Sequence, residues 1–161
     1  MFERFTTEAR QVVKDGEAEA RRLGSSTIEA EHLLIALTRQ DATNPATAAL
    51  HQLGLDYEAT LEALESERRR SLAAVGVSAG DFELPRVAMP SKPRFAATAK
   101  ATLERALRAS VARGERRITA GHVLLGLLRA EAGTVPRALQ EAGVDPEELR
   151  ARTAEEMDRA R

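Results

Sequence analysis

No cysteine occurs in the 161 residues, so neither a disulfide framework nor a thiolate metal site is available. Tryptophan is also absent, tyrosine occurs once, and aromatic residues make up 3% of a chain that is 43% hydrophobic. Ala and Leu supply that hydrophobic content, which favours close-packed helices over a sheet-rich core. No uninterrupted apolar run approaches the roughly 20 residues of a membrane span, and the opening Met1-Phe2-Glu3-Arg4 has no secretory leader pattern. Cytoplasmic residence is therefore the expectation. Charge of one sign is lacking too: the formal net charge is −1 and the charges are finely mixed, leaving no basic stripe to follow a phosphate backbone. The mixture is uneven, because residues 1–64 carry 6 Lys/Arg against 11 Asp/Glu, which makes the first part acidic.

What the chain does have is the same segment twice. FTTEARQVVKDGEAEARRLGSSTIEAEHLLIALTR from Phe5 and FAATAKATLERALRASVARGERRITAGHVLLGLLR from Phe95 align at an offset of 90, pairing Gly24 with Gly114, Ile28 with Ile118 and His32 with His122. The alignment resumes after a one-residue slip at HQLGLDYE and QEAGVDPE. A duplication of this length is a supersecondary module used twice, and two copies bury each other's open faces as a compact pair.

Local signals divide each copy into four helices. In the first, Thr6 or Thr7 caps a helix that stops at Gly24; Glu-Ala-Glu-His opens a short apolar central helix; Asn44-Pro45 opens a third that stops at Gly54; Asp56 caps a fourth to about Leu72. In the second, the expected helices run from about Ala97 to Arg113, from Ala120 after Thr119, from about Pro136 to Ala142, and from Asp145-Pro146, where Glu148 is placed for a capping box. No strand is expected. The fold class is all-α, a single domain over residues 1–161, with repeat one at 1–75, repeat two at 95–161, and between them a Pro- and Gly-containing linker, 76–94, read as extended surface chain.

MFERFT, the paired AEHLLIAL and AGHVLLGL segments, and the LGLD and AGVD turns closely resemble the N-terminal repeat domain of Clp-family AAA+ unfoldases, most like the ClpC type. The resemblance covers about residues 1–155 and implies a pseudo-symmetric helical domain that captures substrates and adaptor proteins, with a Clp unfoldase as a further partner. No G-x-x-x-x-G-K-[ST] phosphate loop occurs in these residues, so no enzymatic activity is expected of them, and no cofactor. A free-standing relative and a piece of a longer chain both fit.

The resemblance also implies recognition of phosphorylated arginine through the acidic residue that precedes the histidine. Glu31 fills that position in the first copy, with Arg4, Thr6 and Thr7 as its expected companions. A carboxylate accepts two parallel N–H bonds from a guanidinium, and a helix N-terminus holds the phosphate. The simpler role for Glu31 is to complement the helix dipole. The second copy departs from the pattern, with Gly121 in place of the acid and Ala96 in place of the threonine; Ala30 departs in the first. Phe2, Phe95 and Lys100 fall where similar domains are bound by cyclomarin-type cyclic peptides, so a sequestering or resistance protein is the alternative; core packing is the simpler role for both phenylalanines. His32 and His122 each stand alone, without a second ligand at i+3 or i+4, and are expected to be buried and hydrogen-bonded near a helix start; no metal is assigned.

Overall fold

A computed structural model describes residues 2–78 and 92–161. The helices are α1 (Thr7–Arg22), α2 (Ala30–Thr38), α3 (Pro45–Gln52) and α4 (Tyr57–Ala74), then α5 (Ala97–Ala112), α6 (Ala120–Leu128), α7 (Thr134–Glu141) and α8 (Pro146–Arg159). Residues 79–91, most of the expected linker, lie outside the described residues, and so does its expected course over the surface.

Caps set the boundaries largely where the sequence places them. Thr6 Oγ1 accepts from the Ala9 N–H at 3.2 Å, Asn44 caps α3 with Pro45 in its first position, and Asp56 Oδ1 accepts from the Ala59 N–H at 2.8 Å. Two expectations are corrected. α7 begins at Thr134, two residues before Pro136, because the first turn of a helix has no intrahelical use for the N–H that proline lacks. At α8, Asp145 accepts from Glu147 N rather than closing a box with Glu148.

The absence of strands is also corrected, on a small scale. Thr27–Ile28 (β1) and Arg94–Phe95 (β2) pair in parallel, and Phe5 bridges Ile118 in the same sense. Under the 90-residue offset these are one contact made twice, each copy's leading arm lying along the other copy's loop.

The central helices α2 and α6 are enclosed almost all round; every residue of α6 is buried, as is α2 from His32 to Thr38. α1 packs on α2 and α5 on α6, but the fourth helices cross over, α4 packing on α7 and α8 on α3. A main core spanning both copies results, from Phe5, Val12 and Leu33 through Leu50 to Leu103, Leu124 and Leu149, with a small satellite of Ala109, Leu125 and Met157 beside it.

Candidate docking grooves

The exchange of arms makes two composite grooves, one at the start of each central helix. In one, Thr6 N donates to Ile118 O at 3.0 Å, Ile118 N to Arg4 O at 2.8 Å, and Arg4 Nε to Arg116 O at 2.9 Å. The first-copy arm therefore lies against the start of α6. In the other, Ala96 N donates to Ile28 O at 3.0 Å, bringing the start of α5 against that of α2. The α6 groove holds a cavity of about 440 Å³ lined by Glu8, Asp41, Glu115, Met157 and Arg161 among others. Its mate at α2 holds about 1060 Å³, bordered by Glu29, Glu31, Thr98, Arg105, Arg129 and Glu131.

This geometry separates residues that the sequence groups together. Arg4, Thr6 and Thr7 stand on the arm beside α6, where Gly121 replaces the acid, while Glu31 borders the α2 groove, whose arm carries Ala96. Each groove thus keeps one half of the expected set. Thr98 supplies the hydroxyl at the α2 groove instead: its Oγ1 accepts from Ala30 N at 3.0 Å and donates to Glu29 Oε2 at 2.6 Å. The parallel pairing of leading arms across copies is what sequence reasoning missed, although the repeated Phe and Ile at equal spacing carried the signal.

Glu31 is half-buried at the second position of α2, and among the described residues its carboxylate forms no ion pair. Burial is the largest influence and pushes its carboxyl above the usual carboxylate range; Glu29 and Glu67 push the same way, while its own main-chain N–H and Arg137 oppose them. A second cavity, about 530 Å³, opens on its other side between Leu23, Ile35, Leu61 and Leu64. At the equivalent place in the second copy the space is filled. Met157 packs with Ala109 and Leu125, and a Cβ on Gly121 would lie 2.5 Å from the Met157 sulfur. The duplication has left a large groove at α2 and a smaller one at α6, narrowed beside Gly121 by its own fourth helix.

Both histidines serve the helix starts. The Glu29 N–H donates to His32 Nδ1 at 2.9 Å and the Thr119 N–H to His122 Nδ1 at 2.9 Å, so each histidine occupies the third helical position of a capping box. Burial lowers both pKa values below the usual histidine range. Among the described residues no group of three or more His, Asp or Glu is arranged to hold a metal.

Phe2 packs edge-on against Phe5 with ring centroids 5.1 Å apart and tilts toward Phe95 at 6.2 Å. Phe2 and Phe95 are both half-buried against the core, and Lys100 is exposed on α5. Among the described residues no helix is long and apolar enough to cross a membrane.

The chain matches the Clp repeat N-terminal domain family over residues 4–84 and 94–161. It is 33% identical over 150 residues to chaperone protein ClpC2, chloroplastic, of Arabidopsis thaliana, covering 93% of this chain and 14% of the relative. The same identity holds against chaperone protein ClpC1, chloroplastic, of Oryza sativa, with 15% of that protein covered. The chain therefore spans about one seventh of the length of these relatives, whose names place them in chloroplasts and lend no support to a cytoplasmic location. Among solved structures, the N-terminal domain of the ClpD chaperone from Arabidopsis thaliana superposes with a TM-score of 0.71 at 22% identity, covering 98% of this chain and 99% of that one. The Hsp104 N-terminal domain from Candida albicans gives 0.66 at 16%, covering 95% and 91%. Likeness at these identities concerns the fold.

Proposed function

The chain belongs to the Clp repeat N-terminal domain family, and from that membership we propose that it is a non-catalytic binding module that captures protein substrates or adaptors for a Clp-type unfoldase. The open groove at α2 is the docking site, and its ligand is a protein segment carrying phosphorylated arginine. One observation carries this reading: a half-buried carboxylate, Glu31, is kept at the mouth of a roughly 1060 Å³ groove without an ion-pair partner among the described residues, Arg137 opposing its burial only from a distance. A group held in an environment unfavourable to its charge is a mark of a functional position. An arriving guanidinium relieves that cost by pairing with it.

The α6 groove is the internal control. It has Gly121 in place of the acid, with Met157 packed against that position, and its cavity is less than half the size of its mate's, so binding is expected at one site per chain. Titration calorimetry with free phosphoarginine is expected to show weak binding with a stoichiometry near one, abolished by Glu31→Ala. Absence of heat with the unmutated protein sinks the phosphoarginine reading.

A second reading rests on the aromatic pair. Phe2 and Phe95 come from different copies and meet at 6.2 Å while half-exposed, which supports capture of a cyclomarin-type cyclic peptide by a sequestering protein. A ligand that binds only the folded state raises its melting temperature. A thermal shift with the cyclic peptide and none with phosphoarginine favours sequestration.

A further inference from the structure

The histidines do more than fill space, because the atom each offers to its helix start is the atom a second proton would occupy. Nδ1 of His32 accepts from the Glu29 N–H, and Nδ1 of His122 from the Thr119 N–H, both at 2.9 Å. Each ring therefore carries its single proton on Nε2. An imidazolium is a donor at both nitrogens and cannot accept, so protonation turns either cap into two N–H groups facing each other. The usual residue at this third position is Glu or Gln, which keeps its acceptor at mildly acidic pH. Histidine in both copies makes the cap conditional on pH.

We propose that His32 and His122 form a paired acid-release device, in which protonation withdraws the reciprocal caps of α2 and α6 together and loosens the two helix starts that floor the grooves. His32 faces Glu29 at its own cap and Glu19 of α1, whose carboxylate is engaged by Arg22 at 2.9 Å and Arg39 at 2.8 Å; Glu65, Glu67 and Arg68 of α4 and Glu31 line the cavity beside it. His122 faces Glu115 from the loop after α5, Arg113 from the end of α5, and Arg161 beyond α8. Its Nε2 lies 3.2 Å from Glu115 Oε2 but out of line for a hydrogen bond, leaving that buried N–H without a partner. Glu115 is already shared by Arg113 at 2.9 Å and Arg161 at 2.6 Å. Burial, helped by those two cations, outweighs the carboxylate, so the neutral ring is the stable form at neutral pH. For His32 the same balance is struck by burial against Glu29 and Glu19.

The sign follows from linkage. Both rings bind a proton less readily folded than unfolded, where the pKa is about 6.5. The unfolded chain therefore takes up more protons as pH falls through that value, and stability declines from there until the folded rings titrate. Carboxylates lie mostly below this window, and Glu31, displaced upward, acts in the opposite direction on acidification. The comparison that isolates the histidines is a variant with an acceptor that does not titrate.

The test compares the protein with the double variant His32→Gln/His122→Gln by thermal unfolding between pH 8 and 5.5. The melting temperature of the unmutated protein is expected to fall as pH drops through about 6.5, and the double variant to hold a flatter profile over the same range. Equal slopes overturn the proposal. Nitrogen-detected NMR of the unmutated protein decides it even if the variant fails to fold. Both imidazoles are expected as the Nε2–H tautomer at pH 7.5, with exchange protection of the Glu29 and Thr119 amides falling on the order of tenfold on protonation, about one hydrogen bond's worth. An Nδ1–H tautomer in either ring, or amide protection indifferent to pH, overturns it. The grooves' role in binding enters only through the preceding reading. Should phosphoarginine fail to bind, tautomer and pH slope still decide the device.

Discussion

At the scale of single residues, the two copies show how a duplicated position drifts while its packing is kept. Gly126 on α6 lies so close to α5 that an added Cβ would meet the Thr102 carbonyl oxygen at 2.5 Å and the Ala106 nitrogen at 2.9 Å. The equivalents of Ala106 and Gly126 in the first copy are Gly16 and Ala36, both buried, so the glycine has changed helix between copies. Gly121 is a different case, since the atoms nearest its added Cβ all belong to the flexible Met157 side chain. Gly126→Ala is therefore expected to cost about 1–3 kcal/mol, because backbone must move. Gly121→Ala is expected to cost clearly less, since Met157 can repack. Urea unfolding of both variants checks this, and equal midpoints would contradict the close approach of α5 and α6. Much at this scale was legible in sequence: the stops at Gly24 and Gly114, the caps at Thr6, Asn44 and Asp56, and the burial of both histidines. Their hydrogen bonding near the helix starts was legible too; that each imidazole closes a reciprocal cap was not, because that pattern is written with Glu or Gln at its last position.

At the scale of elements, α3 and α7 began as the same helix and now start by different means. Asn44 Oδ1 accepts from the Ala46 N–H at 3.0 Å, and the Asn44 amide reaches Glu8 Oε2 at 3.4 Å. α7 has Gly133 at the matching place, with φ of 116° and no side chain to accept. Asn44 is nine-tenths buried, and its loss leaves a helix-start N–H without a partner. Asn44→Ala is expected to cost about 1 kcal/mol, which for a chain of this size lowers the melting temperature by roughly 2–4 °C. Scanning fluorimetry reads this directly, and an unchanged midpoint would mean that water replaces the cap without loss. The start of α7 was misread by two residues because proline is most familiar at a first helical position; any position in the first turn tolerates it, since none of those amides has an intrahelical acceptor. The strands escaped notice for a related reason. Two residues leave no alternation to read, and the pairing of Ile28 with Phe95 and Phe5 with Ile118 exists only once the copies are docked.

For the whole molecule, the two-copy architecture was legible from the offset alone, but the crossing of helices and arms between copies was not. Periodicity says which face of α4 is apolar and nothing about whose surface covers it. In the fold α4 lies on α7, with Glu67 bonded to Arg137 at 2.8 Å, Arg70 to Glu141 at 2.7 Å and Ser66 to Glu141 at 3.1 Å, while α8 lies on α3, with Gln52 donating to Glu156 at 2.9 Å. The same crossing rearranged the candidate site, since it moved Arg4, Thr6 and Thr7 away from Glu31 and brought Thr98 to it. These partly buried pairs report that each copy's fourth helix, besides resting on its own central helix, packs on the third helix of the other copy. Neither copy then possesses a complete core. Residues 1–78 produced alone are expected to show weak helical signal and no cooperative melting, and residues 92–161 the same. Mixing the two should restore helical circular dichroism and a single cooperative transition, because the surfaces that α4 and α8 lack are supplied in trans. A cooperative fold in either half by itself would show that the crossed helices decorate two self-sufficient units and do not interlock them.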